Sequence, residues 1–265
     1  MRRLVHRIHR ALQPPVGYIV WHRWPWPLWK LRGWGTLPIG TQSFRFMAID
    51  RRQYVWWAHQ AHRRRWETEV VRELTRVIRP GDVFFDVGAF VGAFTLLGSR
   101  LVGPGGNVVA FEPDPNARET LERNLAANGV GNVIVAPYAV GDHVGKVRLS
   151  ASGDSVGHVT VSGGIEIEQV TFDSFCADQG LTPTVMKIDI EGSEAAALRG
   201  SETVGRLREF LVEIHEPALR AQGIDPTVLL EGLGRYELLE PPETGNYAVI
   251  VRPREPVGQA PSPSV

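Results

Sequence analysis

The strongest constraint on this chain is an alternation between residues 83 and 136. Three short apolar runs, Val83-Phe-Phe-Asp-Val87, Asn107-Val-Val-Ala-Phe111 and Val133-Ile-Val-Ala136, are separated by stretches of helical periodicity over Val91–Leu101 and Asn116–Asn128. Strand-length apolar runs alternating with helices predict βαβ units and a parallel sheet covered on both faces. The fold class is therefore α/β, a doubly wound, Rossmann-like sheet. Strands over Thr184–Ile190 and Arg208–Ile214 extend it, with helices over Glu194–Gly200 and Pro226–Leu233. Tyr236–Leu239 and Tyr247–Val251 read as a closing antiparallel pair. Upstream, Val70, Val71, Leu74, Val77 and Ile78 share one face of a helix over Glu67–Ile78, stopped by Arg79-Pro-Gly81. Residues 141–170, rich in Gly, Ser and Val, read as hairpins or a loop excursion.

Ligands of such sheets bind beyond the carboxyl ends of the strands, where strand order reverses. There the chain carries Asp86-Val-Gly88-Ala-Phe90-Val-Gly92-Ala-Phe-Thr95. Glycines let a ligand approach the backbone, and a helix amino terminus favours an anionic group. A dinucleotide fingerprint needs G-x-G-x-x-G. Here Phe90 occupies the middle position, leaving G-x-x-x-G, and an acid at Asp86 suits a cationic ligand portion better than a pyrophosphate. Glu112, in Phe111-Glu-Pro113, sits where such sheets place an acid on ribose hydroxyls. Together the two acids describe an adenosine bearing an amino acid, S-adenosylmethionine. The alternative is a generic doubly wound domain whose acids cap loops.

These motifs carry a resemblance. The Asp86–Thr95 segment, Phe111-Glu-Pro-Asp-Pro115, Asn124-Leu-Ala-Ala-Asn128, Ala139-Val-Gly-Asp142, Thr171-Phe-Asp173, Lys187-Ile-Asp-Ile-Glu-Gly-Ser-Glu194, Leu198-Arg-Gly200 and Val212-Glu-Ile-His215 follow one another as in FkbM-type methyltransferases. The resemblance covers roughly residues 66–240. It implies a class I methyltransferase sheet, mostly parallel with a C-terminal antiparallel strand, and S-adenosylmethionine as methyl donor. The donor-binding residues it implies are Asp86, Gly88, Ala89, Gly92, Thr95, Glu112 and Pro113, with Asp142 on the adenine amino group. Asp142 also reads as a turn residue before Gly145. The family usually has Asn where this chain has Phe90.

Lys187, Asp189 and Glu191 are two apart, so an extended chain points them the same way. Ionisable groups at the end of an apolar strand are costly if buried unpaired, so they line a cleft. On this topology the cleft holds the methyl group and the acceptor. A hydroxyl acceptor needs its proton removed, typically worth about 10²–10⁴-fold. Asp189, Glu191 and His215 are the catalytic candidates, with Glu213 or Glu216 raising the basicity of His215. The same three could instead hold a divalent cation. Lys187 could simply neutralise Asp189, and Glu194 reads as a first-turn acid facing a helix dipole. O-methylation of a small molecule, natural product or glycan is the leading expectation. A non-catalytic donor- or partner-binding protein and an N-methyltransferase are the alternatives.

Charge divides the chain. The first 66 residues hold 13 Arg and Lys against one acid, Asp50, and all eight tryptophans. We therefore expect a basic, Trp-rich extension over 1–66, the methyltransferase domain over 67–253 and a disordered tail over 254–265. Leu4, Val5, Ile8 and Leu12 suggest a basic amphipathic helix, Trp21–Trp29 an extended proline-rich run, and Ser43–Tyr54 one or two strands. The extension could touch an anionic membrane through residues 1–34, cover the acceptor site, or merely cover core; nucleic-acid binding is disfavoured. No run reaches the roughly 18–20 apolar residues of a membrane span, and no secretory signal is expected. The single cysteine, Cys176, excludes a disulfide framework and points to a reducing, cytoplasmic setting.

Overall fold

The computed structural model describes residues 34–47, 67–150, 159–160, 164–239 and 245–253. The chain divides into two compact units, 1–66 and 67–265. In the first, β1 (Trp34–Ile39) and β2 (Gln42–Met47) form an antiparallel hairpin with Leu37 opposite Phe44. Alternation buries Leu37, Ile39, Phe44 and Phe46. The expected amphipathic helix, the proline-rich Trp run, the rest of Ser43–Tyr54 and the tail lie outside the described residues. Among the described residues no helix is long and apolar enough to cross a membrane.

The second unit begins with α1 (Thr68–Val77), whose Val70, Val71, Leu74 and Val77 are buried, as their spacing requires. Ile78 is extended, because Arg79 precedes a proline and the helix cannot continue. There follow β3 (Val83–Val87), α2 (Ala93–Val102), β4 (Asn107–Phe111), α3 (Pro115–Ala127) and β5 (Val133–Ala136). The expected helix from Val91 starts at Ala93, because Gly92 is left-handed. Asp114 caps α3 by accepting the Asn116 and Ala117 N–H groups, so that helix starts one residue early, at Pro115.

Residues 139–170 are an insertion with its own sheet. β6 (Ala139–Val140), β7 (Gly145–Leu149), β8 (Val159–Thr160) and β9 (Ile165–Val170) are ordered β6-β9-β7-β8. The chain then returns through α4 (Phe172–Gln179), β10 (Val185–Ile188), α5 (Glu194–Leu198), α6 (Glu202–Gly205), β11 (Glu209–His215), α7 (Glu216–Ala221), α8 (Pro226–Leu233), β12 (Gly234–Leu238) and β13 (Asn246–Pro253). The main sheet has the order β12-β13-β11-β10-β3-β4-β5. Strands β5, β4, β3, β10 and β11 are mutually parallel, and β13 runs antiparallel to both β11 and β12. This is the class I methyltransferase arrangement. Strand order reverses between β3 and β10, where Asp86 is in register with Lys187.

The helix α4 had no counterpart in the sequence reading. Its Thr171 hydroxyl accepts the Ser174 N–H at 3.0 Å, and the Ser174 hydroxyl accepts the Thr171 N–H at 3.2 Å. That is a capping box with Ser in place of the usual Glu or Gln, which hides it from the motif. The helix brings Phe175 edge-on to Phe85 and Phe111, with ring centroids 6.0 and 4.7 Å away. Truncating this buried ring removes a large apolar contact area. We expect Phe175→Ala to lower unfolding free energy by about 3–5 kcal/mol. The exposed Asp178→Ala should change it by less than about 0.5 kcal/mol. Urea denaturation of the two variants checks this.

Candidate active site

Three backbone features shape the turn between β3 and α2. The Gly88 and Ala89 N–H groups both donate to the Phe111 carbonyl at 3.0 Å, tying the turn to the end of β4. Gly88 has φ +83°, and a Cβ there would lie 1.8 Å from the Asp189 carbonyl oxygen, so the exits of β3 and β10 meet only because residue 88 has no side chain. Phe90 is left-handed too, at φ 50°. Its N–H donates to Glu112 Oε2 at 2.7 Å, and Asp114 N–H donates to Oε1 at 2.8 Å. Burial pushes the Glu112 carboxyl up to about 7 against those two donors.

Asp86 lies beneath the turn and is fully buried. One oxygen, Oδ2, accepts the Thr95 hydroxyl at 2.6 Å, while Oδ1 has no hydrogen-bond partner. Burial raises its pKa, and the neighbouring Lys187 opposes that. Lys187 is itself buried, donates to Asp189 Oδ2 at 3.0 Å and stands 4.6 Å above the Phe94 ring. Burial alone would lower the Lys187 pKa, but Asp189, Asp86 and Glu213 together hold it above the usual lysine value.

On the other side of the seam stands His215, the last residue of β11. Its Nδ1 is 2.8 Å from Glu194 Oε1, and its Nε2 is 3.2 Å from Glu191 Oε2 and 3.9 Å from Asp189 Oδ1. Glu194 is fully buried; Oε1 also accepts the Gly192 N–H at 2.9 Å, and Oε2 has no partner. Burial would lower the imidazole pKa, but Glu191, Glu194 and Asp189 push it up to about 11. Glu213 is pushed up to about 8 by burial and by Asp189 and Glu67. These carboxylates make His215 hold a proton more tightly than a free imidazole does.

The structure brings Asp189, Glu191 and His215 together, as the spacing led one to expect. Two expectations about them change. The partners of His215 are Glu191 and Glu194, whereas Glu213 Oε1 stays 3.9 Å away and Glu216 bonds Arg220 at 2.5 Å. Strand β10 ends at Ile188, so Glu191 reaches the ring through a left-handed turn (φ 53°) rather than by strand alternation. Glu194 is the residue that sequence reasoning undervalued, since a helix-start acid looks the same whether it faces solvent or core. Of the donor candidates, Gly88, Ala89, Gly92, Glu112 and Pro113 gather at the turn, and the Thr95 hydroxyl is committed to Asp86. Asp142, past β6, is exposed and bonds His143 Nδ1 at 2.8 Å.

A model of the FkbM methyltransferase domain matches residues 86–237. A hexuronic acid methyltransferase, AglP, of Haloferax volcanii is 29% identical over 179 residues, covering 66% of this chain and 70% of that protein. The 31-O-demethyl-FK506 methyltransferase FkbM of Streptomyces tacrolimicus is 29% identical over 177 residues, covering 52% of this chain and 67% of that protein. Among solved structures, a SAM-dependent O-methyltransferase of Thermotoga maritima aligns with a TM-score of 0.43 at 15% identity, over 84% of this chain and 79% of that one. A precorrin-6y C5,15-methyltransferase of Geobacter metallireducens aligns with a TM-score of 0.43 at 15% identity, over 69% and 87%.

The raised Glu112 pKa has a signed consequence. The folded carboxyl titrates near 7 against 4.5 in the free group, so the folded state holds the extra proton between those values. Stability is full below about 4.5 and is lost as pH rises through about 7, by on the order of 3 kcal/mol. Glu112→Gln removes that term. Urea unfolding at several pH values should show the variant gaining on the native chain as pH rises across this window.

Proposed function

The chain belongs to the FkbM methyltransferase family, S-adenosylmethionine-dependent enzymes, and we propose that it methylates a hydroxyl group of a glycan or small molecule. One observation carries the acceptor reading: Asp189, Glu191 and His215 converge at the carboxyl ends of β10 and β11, beside the glycine turn of β3. An amine that reacts as the free base needs little more than positioning. A hydroxyl needs a group to take its proton, and this centre is rich in carboxylates. The names of two relatives, which act on a hexuronic acid and on 31-O-demethyl-FK506, support an acceptor of this kind.

The residues present fit the donor. Asp86 Oδ1 is a buried acceptor still lacking a donor, and Glu112 is bonded to the turn through the Phe90 N–H. By the resemblance, Glu112 would hold the ribose hydroxyls and Asp86 the cationic amino-acid end, with Pro113 and Asp142 completing the donor site. The bound donor supplies a methyl group on a positively charged sulfur. Transfer of that methyl group to a hydroxyl oxygen would leave neutral sulfur on the donor and would require the acceptor's proton to leave. Asp189, one-quarter exposed, and Glu191, one-third exposed, are the carboxylates open to receive it. Lys187 fixes Asp189 from below, and His215 fixes Glu191 from the side. Alignment of donor and acceptor across this seam supplies the larger share of the rate, about 7–11 kcal/mol.

We expect Asp189→Asn to lower kcat by about 10²–10⁴-fold. Its dissociation constant for S-adenosylhomocysteine should stay within threefold of the native value. Turnover is read as S-adenosylhomocysteine formed with uronic acid glycosides and with macrolide alcohols as acceptors. Transfer to amines alone, with Asp189→Asn fully active, would contradict the proposal.

A further inference from the structure

We propose that Asp189, Glu191 and His215 hold a divalent cation of the Mn²⁺ class at the mouth of this centre. One ligand atom from each of the three lies within 4.8 Å of the others. An ion bound at about 2.0–2.2 Å keeps its ligands roughly 3–4 Å apart. The separations of 3.2 Å (Nε2 to Glu191) and 3.9 Å (Nε2 to Asp189) already fall in that range. Two ligands come from the exit of β10 and the third from the end of β11. The left-handed Glu191, followed by Gly192 at φ +100°, folds the Glu191 carboxylate back toward the ring.

A second observation points to an ion rather than to an ordinary ion pair. Glu194 is fully buried, and only one of its oxygens is used by Gly192 and the His215 ring; the other, Oε2, has no partner. A buried carboxylate on Nδ1 is the support that metal-ligating histidines characteristically have, and it leaves Nε2 as the outward atom. The charges agree. Asp189, Glu191 and Glu194 all approach this ring within 3.9 Å, against one imidazole and the Lys187 ammonium. A divalent charge answers that excess. Carboxylates suit Mg²⁺ and Mn²⁺, and imidazole suits the later first-row ions, so a two-carboxylate, one-imidazole set favours Mn²⁺. The use of such an ion rests on the methyl-transfer reading above: a cation here lowers the pKa of an acceptor hydroxyl, and its proton passes to a carboxylate oxygen of Asp189 or Glu191 that is not on the ion.

The test is a titration of the full, chelator-stripped chain with Mn²⁺ alone, followed by calorimetry and by the spin-resonance signal of free Mn²⁺. One saturable site is expected. His215→Gln and the milder, partly exposed Glu191→Gln should each weaken it at least tenfold, and Glu194→Gln by about 10–100-fold. Circular dichroism confirms that each variant is folded. Absence of saturable binding by a folded chain that still binds S-adenosylhomocysteine would overturn the cation, as would binding unchanged in folded His215 and Glu191 variants. The two readings separate cleanly. Full methyl transfer to a hydroxyl in excess chelator removes the cation and keeps the function. A Mn²⁺ site on a chain that methylates only amines keeps the cation and removes the hydroxyl reading.

Discussion

One buried ammonium holds both halves of this site. Lys187 lies in the strand beside Asp86, bonds Asp189 and is nearly excluded from water. Asp86 lies on the proposed donor side of the seam and Asp189 on the proposed acceptor side. Burial pushes the Asp86 carboxyl up and the Lys187 ammonium opposes that; removing one partner of a buried pair costs about 3–5 kcal/mol. The lysine that seemed only to neutralise Asp189 therefore couples the two sides through a single charge. The sheet order makes this geometry available, because β3 and β10 are neighbours only where the winding reverses.

Backbone conformation does the rest. Contact between the two strand exits requires Gly88, since any Cβ would collide with the Asp189 carbonyl oxygen. On either side of that contact a residue other than glycine is left-handed, Phe90 at 50° and Glu191 at 53°. Such conformations are uncommon outside glycine, asparagine and aspartate, and cost of order 1–3 kcal/mol each. Phenylalanine is not among the residues that favour this region. Here the Phe90 N–H bond to Glu112 and the packing of the turn hold the same conformation for an aromatic residue. The two unusual residues flank the place where donor and acceptor would meet, which is where local strain is commonly retained.

Much of this was legible in the sequence. The parallel sheet followed from apolar runs whose length and spacing admit few alternatives, and the glycine turn and its two acids followed from their positions at strand ends. The gathering of Asp189, Glu191 and His215 was legible because each closes a strand or its exit loop. What escaped was set by tertiary contact. Glu194 has the sequence of an ordinary helix-start acid, and only the neighbouring strand reveals that it supports His215. Helix α4 escaped because its cap uses Ser174 where the motif expects a longer side chain. The hairpin reading of residues 141–170 matches the antiparallel β7–β8 and β7–β9 pairs, but the parallel β6–β9 pair escaped, because local alternation does not encode it.

The central claim is that the turn from Asp86 to Gly92, with Glu112, is a binding site for the methyl donor. Calorimetric titration of the intact chain with S-adenosylhomocysteine tests it most directly, alongside Glu112→Ala shown by circular dichroism to be folded. One saturable site is expected in the native chain, weakened at least tenfold by the loss of the carboxylate. Binding of equal strength in both proteins, or none in the native chain, would contradict it.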